Sequence, residues 1–147
     1  MRILSKPYGE IEIDERQIIE FPSGILGFED QTRWALLDST QPPFYWLQSL
    51  RDSKLAFVLI DPTVFRPEFR PELSDSDRES LRLADEPDML VFAIVTIPVE
   101  QTRMTANLQG PVILNKRLRI GRQTIQTGGQ WKVRHTILEE MASLGAR

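Results

Sequence analysis

Apolar and polar residues alternate along much of the chain, which is the period of a β-strand with one buried face. In "GEIEID" (9–14), Ile11 and Ile13 share one face, while acidic residues occupy the other. Short stretches of this kind recur about every 8–12 residues between turn residues, as in all-β sandwiches and barrels. Together with 9–14 they predict nine further strands: 17–21, 33–38, 44–49, 55–60, 89–97, 103–109, 112–115, 119–127 and 130–138.

Residues 61–88 break the strand pattern and are predicted to leave the sheet. Three prolines make their first half irregular. The second half, 74–87, is the helix candidate, because Ser76 and Glu79 have capping-box spacing and Pro87 would end the helix. No βαβ alternation is present. The predicted fold is therefore mainly all-β: a small closed or nearly closed antiparallel β-barrel with one short helical excursion.

Two signals that contain Gly or Pro predict how the later strands connect. Gly110-Pro111 marks a bend between the strands 103–109 and 112–115. Gly128-Gly129 predicts a hairpin joining the last two strands, and residues 139–147 are predicted to be a helical turn or a frayed tail. The length of 147 residues fits one domain, 1–147, and no repeat or linker interrupts it.

Composition excludes several kinds of chemistry. The chain has no cysteine and one histidine, which excludes disulfides and nearly excludes a zinc site. No phosphate-binding loop, dinucleotide fingerprint or nucleophile elbow occurs, and His135 has no nearby carboxylate in the predicted strand. We therefore expect no catalytic residue, no metal and no cofactor. The longest apolar run, 89–97, is too short to span a bilayer as a helix, and the N-terminus does not resemble a secretory signal.

The charge is divided unevenly along the chain. Residues 1–102 contain 10 Lys/Arg and 19 Asp/Glu, whereas residues 103–147 contain 8 and 2. Two interpretations are open: the halves form separate charged surfaces, or they interleave and neutralise each other, which we favour. A second alternative is a barrel that binds single-stranded RNA through the cations of 116–134 and Trp131. The net charge of -3 argues against it.

Asn107 lies within a predicted strand, where Asn is rare because its amide competes for backbone groups. Two interpretations are open. Its side chain bonds the backbone at the Gly110-Pro111 bend, which we favour, or it contacts a partner. The same choice applies to Gln48. We expect Phe28, Leu47, Phe57 and Leu108 to be core residues.

Three blocks of sequence resemble the FliW family of flagellar assembly factors. The first is a Gly-Ile-x-Gly-Phe loop within 21–30, the second an LQS strand end and a later Asp-Pro within 44–62, and the third a Thr-Ala-Asn-Leu-x-x-Pro block within 104–115. They occur in the family's order and spacing, and the similarity extends along almost the whole chain. The matching residues, mainly expected to be structural, are Gly24, Gly27, Phe28, Leu47, Gln48, Asp61, Pro62, Thr105, Asn107, Leu108 and Pro111.

The resemblance implies a cytoplasmic, non-enzymatic protein with a small antiparallel barrel. Family members act like a chaperone that binds newly made flagellin, and they also bind CsrA, an RNA-binding repressor of translation. Flagellin occupies the protein until it is exported; the freed protein then sequesters CsrA, and flagellin synthesis resumes. The resemblance implies no direct contact with nucleic acid or membrane.

An acidic stretch at 68–88 is the candidate surface for the basic repressor. It contains eight Asp/Glu and three Arg residues and includes the predicted helix. Opposite charge accelerates association. Glu72, Asp75 and Asp77 are therefore candidate partner-binding residues, with Asn107 as a fourth. The alternative is that the stretch is only the solvated face of a helix.

Overall fold

The computed structural model describes residues 1–83, 88–100 and 103–145. Strands supply most of its regular structure, and they are β1 Arg2–Ser5, β2 Gly9–Glu12, β3 Ile18–Glu20, β4 Arg33–Asp38, β5 Phe44–Ser49, β6 Ala56–Ile60, β7 Met89–Thr96, β8 Thr105–Asn115, β9 Ile120–Gln123 and β10 His135–Thr136. The helices are α1 Asp75–Leu81 and α2 Ile137–Gly145, with 3₁₀ helices at Glu15–Gln17 and Pro62–Val64.

Seven strands close into a barrel. One sheet has the order β10-β8-β7-β6-β5-β4-β3-β9, and β9 also pairs with β8, so that β3 to β9 form a ring. The pairs are antiparallel except β3 with β9, which is parallel where Glu20 faces Ile120. β1 and β2 form a separate hairpin. The predicted, mainly all-β barrel is confirmed. It differs from the prediction in the parallel pairing of β3 with β9 and in the presence of a second helix, α2.

The barrel interior is filled by side chains from alternate strand positions. Trp34 and Leu47 are fully buried there, and Trp34 packs with Phe57 at 5.6 Å between ring centroids. Burial of a large apolar side chain stabilises the fold by roughly 1.5–3 kcal/mol. The buried members of this cluster are Ile19, Phe21, Ile25, Trp34, Leu47, Leu59, Phe92, Val112 and Leu114.

Two layers cover the outside of the barrel. The hairpin cover, residues 1–14, packs Ile3, Ile11 and Ile13 on Ala35 and Leu37 of β4. The excursion cover, residues 61–83 and 124–145, lies on β6, β7 and β8. Its buried members include Phe65, Phe69, Trp131 and Ile137.

Helix α1 forms where a helix was expected, but its ends differ from the prediction. The capping box is formed by Ser74 and Asp77, not by Ser76 and Glu79. The helix ends at Leu81, because Arg82 is left-handed at φ 51° and its N–H bonds back to the last turn. Pro87, predicted to end the helix, lies outside the described residues.

Three predictions about the C-terminal third of the chain were wrong. The stretch 105–115 is one strand, since β7 pairs with it both before and after an irregularity between Asn107 and Val112. Gly128-Gly129 does not form a hairpin, because β9 pairs with β8 and β3 while β10 pairs with β8. The C-terminal stretch forms the nine-residue α2 and not a single turn. Strand β1 was not predicted.

Candidate partner-binding surfaces

An apolar groove of about 130 Å³ lies on the outside of the barrel, between the two covers. Phe44 and Val58 border the cluster under the excursion cover, and Trp46 borders the cluster under the hairpin cover. The two covers leave these three side chains of β5 and β6 partly exposed. Each of the three side chains is half-buried. The groove is therefore a strip of barrel surface with apolar character that is open to solvent.

The rim of the groove adds further apolar surface. Ile97, just beyond β7, is 47% exposed, and Met104, just before β8, lines the same groove. Ser39 and Gln41 supply polar groups at one end. Exposed apolar residues that gather around a concave site are typical of surfaces that bind proteins or ligands. This groove was not predicted from the sequence, because Trp46 and Val58 show the same alternation as fully buried strand residues.

The acidic stretch is only partly an accessible charged surface. Glu72, Asp75 and Glu79 are exposed, and within the described ranges none of them has an ion-pair partner. Asp77 is different: it is 8% exposed, and Arg122 Nε donates to its Oδ1 at 2.9 Å. The expectation that Asp77 belongs to an exposed surface was wrong, because it caps α1 and holds the helix on β9.

Other charges of the two halves also meet. Arg117 Nε lies 3.3 Å from Asp88 Oδ2, and Arg66 Nη2 lies 2.7 Å from Glu140 Oε1. With Arg122 and Asp77, these pairs join residues that are far apart in sequence. The interpretation that the halves interleave is supported at these positions. Two cations of the 116–134 stretch, Arg117 and Arg122, are consequently neutralised by carboxylates, and fewer are free to bind a nucleic acid than the sequence indicates.

His135 is a buried structural residue, 7% exposed. Lys132 N–H donates to its Nε2 at 2.8 Å, so Nδ1 carries the proton in the neutral ring and donates to Glu140 Oε2 at 3.0 Å. Arg66 binds the same carboxylate and lies over the ring of Trp131 at 5.3 Å. Glu140 was not predicted as the partner of His135, because it lies in the stretch predicted to be a tail.

The family-type loop is shaped by its glycines. Gly24 has φ +65°, and a Cβ there would lie 2.5 Å from the backbone of Glu29, so only glycine fits. Gly27 has φ +89°. Phe28 is half-buried and packs edge-on against Phe57 at 5.5 Å. The loop therefore packs Ile25 and Phe28 against the interior cluster of the barrel and exposes Leu26 at its tip, 69% accessible.

The other family-type residues also have structural contacts. Asp61 accepts hydrogen bonds from Thr63 N–H and Oγ1, which begins the 3₁₀ helix with Pro62 at its first position. Leu47 and Leu108 are fully buried, as expected. Thr105 pairs with Thr96 on one side and with Thr136 on the other. Pro111 accepts from Thr124 N–H at 2.9 Å.

The side-chain amides of Asn107 and Gln48 both form hydrogen bonds with the backbone. Asn107 Oδ1 accepts from Gly110 N–H at 2.9 Å, which is the hydrogen bond expected at the bend. Gln48 is fully buried; its Oε1 accepts from Lys6 N–H at 2.7 Å, and its Nε2 donates to Ser49 O at 2.9 Å. These contacts support the structural interpretation of each. They leave a partner contact of Asn107 as a hypothesis.

Two buried amides were missed. Asn115 Nδ2 donates to Leu81 O at 2.9 Å, and its Oδ1 accepts from Arg117 and Leu118 N–H, so it ties the end of α1 to the turn after β8. Gln126 accepts from Glu72 N–H at 2.8 Å and donates to Glu72 O at 3.1 Å. The sequence signal was the one used for Asn107: an amide inside an apolar or extended stretch.

No helix among the described residues is long and apolar enough to cross a membrane. In the same ranges, no group of three or more His, Cys, Asp or Glu side chains is placed to hold a metal ion.

Comparison with known proteins gives a consistent result over almost the whole chain. A family model described as FliW protein matches residues 2–137. The flagellar assembly factor FliW of Treponema denticola is 43% identical over 145 residues, which cover 99% of each chain. That of Leptospira biflexa is 41% identical over 146 residues, 98% of this chain and 95% of its own.

A solved structure agrees with the barrel described above. It is a crystal structure of the flagellar assembly factor FliW, similar at a TM-score of 0.87 and 36% sequence identity, and the match covers 93% of this chain and 96% of that one.

Proposed function

Since the chain belongs to the FliW family of flagellar assembly factors, we propose that it acts without catalysis, by binding two proteins in turn. The first is newly made flagellin, bound in the cytoplasm before export. The second is CsrA, the repressor of flagellin translation. Export of flagellin frees the protein, which then sequesters CsrA, and flagellin synthesis resumes.

The observation that carries this proposal is a pair of chemically different surfaces with no residue in common. One is the apolar groove lined by Phe44, Trp46, Val58 and Ile97. The other is the exposed acidic side of the excursion cover, with Glu72 and its neighbours. Two surfaces of different chemistry suit two partners that are recognised differently.

The groove suits flagellin. Amphipathic helices are bound by laying their apolar face into a hydrophobic groove, with anchors three or four residues apart. A groove of about 130 Å³ has room for an anchor side chain, and the half-exposed Ile97 extends the apolar contact along the rim. Binding there would shield apolar surface of a protein waiting for export.

The acidic surface suits CsrA. A protein that binds RNA presents cations, because phosphates dominate RNA affinity. Glu72, Asp75 and Glu79 have no ion-pair partner within the described ranges, so their field is available to steer a basic protein. Asp77 is not part of this steering, because Arg122 neutralises it.

The first test measures flagellin binding to a groove variant. Ile97→Glu places a charge in the groove rim at an exposed position, and we expect at least tenfold weaker flagellin binding with little change in melting temperature. Val133→Glu is the matched control, because Val133 is similarly exposed at 52% but does not line the groove. Equal effects of the two variants would contradict the assignment of flagellin to the groove.

The second test measures association rates across a salt series. Reversing Glu72, Asp75 and Glu79 to Lys, with Asp77 retained, should slow CsrA association most at low salt, where charges are least screened. Flagellin association should change less. Equal loss for both partners, or no loss for CsrA, would show that the acidic residues are only a solvated face.

Binding of single-stranded RNA by this protein would contradict the proposal. Tight binding of single-stranded RNA by the purified protein, with a steep salt dependence removed by Arg119→Ala and Lys116→Ala, would favour the RNA-binding barrel. We expect no such binding at physiological salt, because the nearby cations Arg117 and Arg122 are paired with carboxylates.

A further inference from the structure

The segment after β9 continues the sheet as an unpaired edge. Thr124 N–H donates to Pro111 O at 2.9 Å, and Gln126 N–H donates to Gln109 O at 2.7 Å. These bonds keep the register in which Gln123 faces Val112 of β8. Residues 123–127 are therefore extended and held on one side only by β8.

The groups on the other side of this segment lack partners. In an extended chain, alternate residues direct their N–H and C=O to opposite sides, so those of Ile125 and Thr127 point away from β8. Neither residue's backbone makes a hydrogen bond within the described ranges. The neighbouring strand β3 pairs with β9 only at Ile120, before the chain turns away. An open edge of this kind is a template for another strand.

The surroundings of the edge favour a particular kind of segment. Leu26 and Ile125 expose 69% and 54% of their surface and flank Gln123, whose Oε1 accepts from Leu26 N–H at 2.9 Å. Beside the edge lies a polar cleft of about 410 Å³ whose opposite wall includes Glu72. The side chain of Gln126 bonds both the N–H and the C=O of Glu72. The carboxylate of Glu72 is therefore held beside the cleft but remains exposed.

We propose that this edge, residues 123–127, binds an extended segment of a basic partner protein by adding it as a strand. The backbone of the segment pairs with Ile125 and Thr127. An apolar side chain packs between Leu26 and Ile125, and a Lys or Arg side chain on the other face reaches the carboxylate of Glu72. This inference rests on the proposed function in that the basic partner used as probe is CsrA.

The carboxylate at the cleft determines whether the edge favours a basic, an acidic or an apolar segment. Arg122 in the cleft is already paired with Asp77, so Glu72 is the carboxylate there that has no cation in the described ranges. A basic segment complements it, whereas an acidic or purely apolar one leaves it buried and unpaired. The apolar groove, by contrast, presents side chains and not strand edges, and it suits a helix.

The test follows amide exchange by NMR in the full-length chain, free and bound to full-length CsrA. We expect the amides of Ile125 and Thr127 to exchange freely in the free protein and at least tenfold more slowly in the complex. Binding without that protection overturns the proposal. Protection by flagellin but not by CsrA also overturns it, because the occupant would not be the basic partner.

Two pairs of variants complete the test. Ile125→Pro removes the outward N–H without removing an internal hydrogen bond, and it should weaken CsrA binding at least tenfold relative to Ile125→Ala, at unchanged melting temperature. Glu72→Gln should weaken binding about threefold to tenfold, while Glu15→Gln, at an exposed carboxylate outside the acidic stretch, should not. If proline and alanine act alike, no strand is added. If wild-type protein binds neither CsrA nor flagellin, the proposed function fails and this inference fails with it.

Discussion

The two covers of the barrel bury similar apolar faces by different means. The hairpin cover is 14 consecutive residues whose ion pairs lie outside, such as Arg2 with Glu10, exposed by 74% and 61%. The excursion cover joins two segments that are far apart in sequence, and its ion pairs are largely shielded: Arg66 and Glu140 are 29% and 18% exposed. It also packs aromatic rings edge to face, with 4.8 Å between the ring centroids of Phe69 and Trp131.

This difference determines how each cover responds to a single change. Exposed ion pairs contribute about 0–1 kcal/mol, so the hairpin cover depends on its aliphatic contacts, which several residues share. Shielded charge-assisted hydrogen bonds are each worth more, and loss of one partner leaves the other unsatisfied. The excursion cover should therefore be the more sensitive of the two, and it carries the edge and the acidic residues proposed to bind partners.

The largest expected effect is at the aromatic contact of the excursion cover. Phe69→Ala should lower the free energy of unfolding by about 3–5 kcal/mol, because it removes a buried ring and leaves a cavity beside Trp131. Ile3→Ala in the hairpin cover should cost less, because Ile3 is only half-buried. Urea unfolding measures both, and a greater cost for Ile3→Ala would reverse the comparison.

A smaller effect is expected at the shielded ion cluster. Glu140→Gln keeps the shape but removes the charge shared by Arg66 and His135, and it should cost about 1.5–3 kcal/mol of stability. The neighbouring Glu139→Gln is the control, since Glu139 is exposed and bonds only Thr136 among the described residues. Thermal unfolding of the two variants tests the difference; similar losses would mean that the cluster is screened like a surface pair.

The irregular middle of β8, on which the excursion cover lies, depends on Asn107. Asn107→Ala removes the acceptor of Gly110 N–H and should cost about 1–3 kcal/mol, with partner affinity per folded molecule nearly unchanged. Chemical unfolding and binding are measured on the same sample. Wild-type melting with lost flagellin binding would instead place Asn107 on a contact surface.

The smallest effect is expected at the end of the hairpin cover, and it depends on pH. The hydrogen bond from the Arg16 side chain, together with that from its backbone N–H, lowers the pKa of Asp14 from 3.8 to about 2. Since the folded pKa is the lower one, the stability it contributes is present above pH 3.8 and is lost as the pH falls towards 2.

Asp14→Asn should flatten the dependence of melting temperature on pH between about 4 and 2, and leave it unchanged at neutral pH apart from the small loss of the ion pair. The matched variant Arg16→Gln removes the side-chain donor to Asp14 and should flatten the same slope. An unchanged slope in Asp14→Asn would show that Asp14 is not responsible.

Local patterns predicted those features whose partners are close in sequence. Strands 33–38 and 44–49 were located to the residue, because alternation of apolar and polar side chains reflects one buried face. The bond between Asn107 and Gly110 joins residues three apart and was expected. The capping of α1 was shifted by two residues, since Ser74 with Asp77 and Ser76 with Glu79 have the same spacing and only the packing of α1 on β9 distinguishes them.

By itself, the sequence determined the all-β class, the position of the excursion and the glycine-dependent loop at Gly24, because each follows from backbone preferences and short-range periodicity. Only the tertiary structure decided that Asp77 is shielded, that Arg66 joins His135 at the carboxylate of Glu140, and that 105–115 is one strand. It also decided which apolar strand residues remain uncovered in the groove. These features depend on contacts between residues up to 74 apart. Such contacts form only when the barrel closes, and no local pattern records them.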